Sequence, residues 1–259
     1  MKTSIYIATH KKANFPNKSE YIPIQAGAEL KDNLGFFRDD VGDNISVKNP
    51  SFCELTILYW IWKNDESDIV GLVHYRRYFY EKKYSNTLNN VIGKKKIEKI
   101  LTKYDMILPR KEYIYKFNLM EQWNHIHNSR DIEICKKIIK EKYPEYLNSF
   151  DKVFSKNSFY AFNMFIAKKS VIDDYCKWLF DILFEMEKLI DISSYSDYNK
   201  RLFGFISERL FNVWIEKNNH IKIKEMMVLQ TDKNNVKQRL LYTTKKYSTC
   251  VKNFLEKDS

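Results

Sequence analysis

Apolar residues along this chain fall into short runs that alternate between the strand period and the helix period, with polar stretches between them. Ser4 to Ala8 is β-branched and aromatic, leaves on the polar trio Thr9, His10 and Lys11, and predicts a first strand. After a loop with Pro16, Asn17 and Pro23, the stretch Tyr21 to Leu30 holds a second strand, and Gly27 permits close backbone approach. The polar stretch 32–49 interleaves Leu34, Phe36 and Phe37, as an ordered loop does. A helix is predicted next: Asn49 can cap it, Pro50 suits its first position, and Glu54 follows Ser51 by three residues as in a capping box. Phe52, Leu55, Leu58, Tyr59 and Trp62 form its apolar stripe, and Ile57, Trp60 and Ile61 fill enough of the remainder to predict deep burial.

A compact apolar strand, Asp68 to Val73, comes after a short turn and ends directly on His74-Tyr75-Arg76-Arg77. Further on, the patterns predict a helix at Ile97 to Leu101, a strand at Tyr104 to Pro109, a helix at Asp131 to Lys142 and a strand at Phe159 to Ala167. Helices at Val171 to Ile190 and Phe203 to Glu216 and a strand at Ile221 to Leu229 complete the order, without internal repeats. Strands alternating with helices predict an α/β domain, a mostly parallel sheet flanked by helices, over residues 1–235. Residues 236–259 mix Lys237, Arg239, Lys245, Lys246 and Lys252 with Leu240, Tyr247 and Phe254, a basic helical tail that could lie on an anionic membrane surface or pack as a solvated helix.

Composition narrows the class. The 259 residues are 44% hydrophobic and 15% aromatic, with 6 Gly and 5 Pro, which excludes collagen-like, low-complexity and wholly disordered chains. No apolar run approaches the roughly 18 residues that predict a membrane span, and the N-terminal run is too brief for a secretory signal. Cys53, Cys135, Cys176 and Cys250 lack paired spacing and read as reduced thiols of a cytosolic protein. The net charge of +11 favours polyanionic neighbours, although a chain rich in Lys, Asn and Ile acquires such charge from coding bias as well.

Polar groups at the carboxyl end of an interior strand are where α/β enzymes place ligand chemistry, which singles out His74 to Arg77. Each guanidinium can give two charge-assisted hydrogen bonds to phosphate oxygens; the plain alternative is a basic strand end facing water. Strand alternation would send Arg76 and Arg77 to opposite sides, leaving one to face a ligand.

Together the segments Ile5-Tyr-Ile-Ala-Thr-His-Lys11, Ile24-Gln-Ala-Gly-Ala28, Gly42-Asp-Asn-Ile-Ser46, Cys53-Glu-Leu-Thr56, Tyr59-Trp-Ile-Trp62, Gly71 to Tyr78 and Phe203 to Trp214 resemble a bacterial family of capsular and exopolysaccharide biosynthesis glycosyltransferases, long described only as a domain of unknown function. The resemblance runs from about residue 4 to about residue 230. It implies a GT-A-like, Rossmann-like fold and a UDP-sugar donor, with galactose in pyranose or furanose form favoured. It further implies a polyprenyl-diphosphate-linked glycan as acceptor and a protein peripheral on the inner face of the cell membrane.

By that logic Ala8, Thr9, His10 and Lys11 line the nucleoside and first phosphate, unless they form an ordinary exposed loop. Asp43 and Asn44 could bind donor hydroxyls or simply form a turn. His74, Tyr75 and Arg77 belong to the donor side, with Arg76 neutralising charge on the leaving diphosphate. The family's fold usually carries an Asp-x-Asp pair for Mn²⁺ or Mg²⁺; here His74-Tyr75-Arg76 takes that place, which puts metal dependence in doubt because hard cations prefer carboxylate oxygens.

Trp123, His125, His127 and Asn163 are the expected acceptor contacts, Trp123 by stacking on a sugar ring. A zinc pair at His125 and His127 lacks further ligands at suitable spacing. Glu208, alone in an apolar helix, is the expected catalytic base, its competing role being an ion pair with Arg201 or Arg209. The rival class, a non-enzymatic basic nucleic-acid-binding protein, lacks any RNP-like, helix-turn-helix or zinc-finger pattern. A phosphate-processing enzyme of another α/β fold lacks a Walker loop and GxGxxG.

Overall fold

The computed structural model describes residues 1–81 and 87–231; the proposed tail 236–259 and its boundary lie outside the described residues. Strand β1 (Thr3–Thr9) pairs in parallel with β2 (Tyr21–Gln25) on one side and β4 (Ile69–His74) on the other, and β2 in turn pairs with β3 (Phe37–Arg38). Pro23 lies inside β2 rather than in the loop before it. β1 is buried along its whole length, as expected for an interior parallel strand. Gly71 in β4 serves this packing: a Cβ there would meet Ile5 Cδ1 at 2.8 Å and Ile166 Cγ1 at 2.9 Å.

After β4 the chain reverses through Tyr75 and Arg76 into β5 (Arg77–Tyr80), with His74 opposite Arg77. β6 (Met106–Pro109) pairs in parallel with β10 (Ile223–Gln230), which also runs antiparallel to β5. β9 (Phe165–Lys168) lies antiparallel to both β4 and β6. The eight strands are therefore a mixed sheet, not the mostly parallel one predicted. Part of the reason is local, since a two-residue hairpin can join only antiparallel strands and one follows β4 directly; the rest is the return of β9 antiparallel to β4 and β6. β7 (Glu112–Tyr113) and β8 (Ser158–Phe159) form a small separate ribbon.

Helices cover the sheet. The predicted helix from Asn49 is two pieces, α1 (Asn49–Phe52) and α2 (Leu55–Asn64), separated at Cys53, whose φ is 53° and ψ −130°. α3 (Lys94–Leu101), α4 (Leu119–Ile126), α5 (Ser129–Lys142) and α6 (Leu147–Phe154) follow. The long α7 (Lys169–Leu189) and α8 (Leu202–Lys217) complete the set. Asn128 caps α5, accepting from the Arg130 N–H at 3.0 Å. The predicted strand Phe159 to Ala167 is also broken: Phe162 (φ 79°) and Asn163 (φ 46°) turn left-handed between β8 and β9. No described helix is long and apolar enough to cross a membrane.

Asp39, fully buried, fastens the loop after β2 to α2. Its carboxylate accepts from the N–H groups of Gly27 (2.8 Å) and Ala28 (2.9 Å) and from the hydroxyls of Ser46 and Thr56 (2.6 Å each). Asp39→Ala strands all four donors, and hydrogen bonds to a charged group contribute about 1.5–3 kcal/mol apiece. We expect it to destabilise the domain by at least about 3 kcal/mol in urea unfolding; a loss under about 1 kcal/mol would show that water replaces the carboxylate.

Candidate functional site

A cleft of about 1110 Å³ opens at the carboxyl ends of β1 and β4. Its first wall is made by Ala8, Thr9 and His10 leaving β1 and by His74, Tyr75, Arg76 and Arg77 at the β4–β5 hairpin. The hairpin brings Arg76 and Arg77 to the same cleft, against the alternation expected of a straight strand. Arg76 stands over the Tyr75 ring at 5.6 Å and Arg77 over the Phe162 ring at 4.3 Å. Thr9 shapes the exit of β1, its hydroxyl donating to the Lys11 carbonyl at 2.5 Å. Lys11 is not among the lining residues, and its ammonium lies 5.2 Å from the Tyr75 ring centre.

Positive charge gathers on this wall. Burial lowers the His10 pKa, and Lys31, Lys11, Arg76 and Arg201 lower it further, so its imidazole is neutral at pH 7. Lys31 reaches the cleft from the loop after β2, donating to the Ala26 carbonyl at 3.1 Å and Asn49 Oδ1 at 2.9 Å. Patterning did not single out Lys31 and named Arg201 only as a possible partner of Glu208, because a lysine in a polar loop and an arginine ahead of a helix carry no local signal for a cleft.

A second part of the lining carries carboxylates. Glu208 Oε1 accepts from the Phe162 N–H and Oε2 from Arg209 Nη1, each at 3.0 Å. Arg209 is 5% exposed and also binds Gln122 Oε1 at 3.0 Å, so the ion-pair alternative for Glu208 is realised through Arg209. Glu54 lines the same wall instead of closing a capping box; its Oε1 accepts from Asn163 Nδ2 at 2.8 Å. Burial raises the pKa of both glutamates; Arg209 opposes this at Glu208, and the Asn163 hydrogen bond opposes it at Glu54.

His74 is fixed by donating from Nε2 to the Phe162 carbonyl at 2.6 Å. Burial, with the Arg77 charge adding to it, pushes its pKa down to about 3. With this ring nitrogen engaged and two guanidiniums next in the chain, the exit of β4 does not fit a hard divalent cation. Among the described residues no three His, Cys, Asp or Glu side chains converge to hold a metal.

Several expected contacts stand elsewhere. Trp123 is fully buried, its indole donating to the Asn128 carbonyl at 3.0 Å, and so cannot stack on a sugar. Asp43 accepts from the Tyr59 hydroxyl at 3.1 Å, and Asn44 spans its own turn through the Gly42 carbonyl and the Ser46 N–H. Neither lines the cleft. His125 packs on Phe117 outside it. Asn163 is buried behind the cleft lining and donates to Glu54. His127 does line the cleft, within a group of rings that includes Tyr198 and Phe205, and binds Asn199 Oδ1 at 3.0 Å.

Burial also pushes the His127 pKa down, to about 4. In the unfolded chain both histidines titrate near 6.5. Below that pH the unfolded chain takes up protons that the folded chain refuses, so stability falls on acidification. Each site contributes on the order of 1 kcal/mol per pH unit until its folded value is reached. Urea unfolding of wild type and His127→Asn at pH 7 and pH 5 should show the smaller loss in the variant; equal losses would assign the acid sensitivity to other groups.

A bifunctional glycosyltransferase, WbbM, solved in its apo state, is similar to this chain at 31% identity with a TM-score of 0.82. The similarity covers 91% of this chain and 46% of that one, so the chain spans less than half the length of its relative. No curated protein matches the chain. A family model described as "Domain of unknown function (DUF4422)" matches residues 4–219, and the chain accordingly belongs to that family.

Proposed function

We propose that this protein is a glycosyltransferase that moves a sugar from a nucleoside-diphosphate donor to a hydroxyl of a glycan acceptor. The observation that carries the reading is the gathering of Lys31, Arg76 and Arg201 around His10 at the exits of β1 and β4, in one cleft with Glu54 and Glu208. Cations suit a diphosphate whose charge grows as it leaves, and a carboxylate in the same cleft suits an acceptor hydroxyl that must lose its proton. The similarity to WbbM supports the same class.

The donor we favour is a UDP-sugar of galactose type on a GT-A-like scaffold, with Ala8, Thr9 and His10 at the nucleoside and Arg76 at the diphosphate. Metal is not required in this reading, because guanidinium and ammonium groups neutralise the diphosphate directly. Tyr198, Phe205 and His127 offer ring faces to the acceptor. A lipid-linked glycan of capsular or exopolysaccharide synthesis, met at the inner face of the cell membrane, is the acceptor proposed. Against a nucleic-acid-binding role, these cations face into a cleft that acidic groups share, rather than spreading over an open surface.

Calorimetric titration with UDP, in EDTA and again with Mn²⁺, tests this; we expect binding in both. Arg76→Ala should weaken it roughly 10- to 100-fold, the equivalent of one charge-assisted phosphate contact, and Arg77→Ala distinctly less. No binding of UDP under either condition would overturn the donor class, and binding only with Mn²⁺ would overturn the metal-free diphosphate site.

A further inference from the structure

Resting on the glycosyl-transfer reading, we infer that Glu54 is the carboxylate that takes the acceptor's proton, and that Glu208 is held beside it in a supporting ion pair. Local sequence hides Glu54, since Ser51 and Glu54 have the spacing of an ordinary capping box. The folded backbone treats the residue differently.

The chain is bent to aim this side chain. Cys53 has φ 53° and ψ −130°, a region that side-chain-bearing residues avoid, at a cost of about 1–3 kcal/mol. The bend ends α1 and restarts the helix as α2, and Glu54 falls at the joint, where it lines the cleft. Tertiary contacts hold the strained residue. Arg201 Nε donates to Cys53 Sγ at 3.3 Å, and α8 approaches so closely that a Cβ on Gly204 would lie 3.0 Å from that sulfur. Strain maintained in this way at a cleft wall marks a residue whose direction matters.

A second strained segment meets the first. Asn163, left-handed and buried, directs Nδ2 at Glu54 Oε1. Its amide is anchored by the Gly204 carbonyl at 3.1 Å and Ser207 Oγ at 2.9 Å. Among the described residues Asn163 is the one side-chain hydrogen-bond partner of Glu54. Glu208 differs: both its oxygens are occupied, one by backbone and one by a buried guanidinium that would be left unpaired if the carboxylate were neutralised. Of the two carboxylates, Glu54 therefore has the freer oxygen and no ion pair to give up on protonation.

In the step itself the acceptor oxygen bonds to the anomeric carbon while the bond from that carbon to the β-phosphate oxygen breaks. The electron pair of the broken bond departs with the nucleoside diphosphate. The acceptor's proton passes to Glu54 and then to water. The burial that raises the basicity of Glu54 helps it to accept that proton near neutrality.

The test measures UDP release from UDP-galactose with a synthetic polyprenyl-diphosphate-linked glycan, alongside UDP affinity. Glu54→Gln keeps an oxygen for Asn163 and should lose 10²- to 10⁴-fold in turnover, the range of general-base catalysis, with the UDP Kd within about threefold of wild type. Formate should restore part of the turnover of Glu54→Ala, which no structural role would allow. Glu208→Gln should lose at least tenfold less turnover than Glu54→Gln while lowering the melting temperature. The inference is overturned if Glu54→Gln stays within tenfold of wild type, if it loses UDP affinity along with turnover, if formate restores nothing, or if Glu208→Gln is equally inactive yet stable. In each of those cases wild-type UDP binding and transfer stand; a wild type that neither binds UDP nor transfers sugar brings down the glycosyl-transfer reading itself, and this one with it.

Discussion

The left-handed turn at Phe162 and Asn163 is the constraint on which the cleft depends. Its backbone joins the two walls: the Phe162 carbonyl accepts from His74 at the end of β4, and the Phe162 N–H donates to Glu208 in α8. The next residue carries the amide that reaches Glu54. Three elements distant in sequence are thus set by one dipeptide whose conformation side chains resist. Its neighbours over-determine that conformation. β9 is registered against β4 from Phe165 onward, and Asn212 clamps Tyr160 on the other side, accepting from its N–H and donating to its carbonyl.

Electrostatics then bind the cleft together. Ammonium and guanidinium groups from the loop after β2, the β4–β5 hairpin and the start of α8 line it together with Glu54 and Glu208. Glu54 raises the proton affinity of Glu208, which Arg209 and Arg77 oppose, while Arg201 and Arg77 oppose the effect of burial at Glu54. In a half-buried space such charges interact more strongly than in water, so their meeting within one cavity has energetic weight that a surface distribution of the same residues would lack. This suits a reaction that builds negative charge at one place and releases a proton at another, as the proposed transfer does.

The hairpin after β4 shows how a small change in connectivity alters chemistry. A chain continuing straight from His74 would present one arginine to the cleft; reversal at Tyr75 and Arg76 presents both. It also sends β5 back antiparallel to β4, with β10 pairing on its other side, which adds to the mixed character that β9 gives the sheet. The meeting of two arginines in one cleft and part of the mixed topology thus share one cause.

Which parts were legible beforehand follows from the range of the forces involved. The strands β1, β4 and β6 and the helices α5, α7 and α8 could be read along the chain, because burial of one face imposes a period on local sequence. The exits of β1 and β4 were readable for the same reason: an apolar run that stops on His, Tyr and Arg locates a strand end and its chemistry together. Tertiary structure alone decided what depends on non-local contact. Cys53 and Phe162 carry no residue-type signal for positive φ, and only the closing of α8 and the anchoring by His74 and Glu208 hold them there. With those bends came the aim of Glu54, the burial of Asn163, and the pairing of Glu208 with Arg209 rather than Arg201. Trp123 shows the same limit, since an indole reads alike in a core and on a binding surface until neighbouring helices cover it. Periodicity reports which face of an element is dry; the direction of a single side chain at a strained joint is set by partners dozens of residues away.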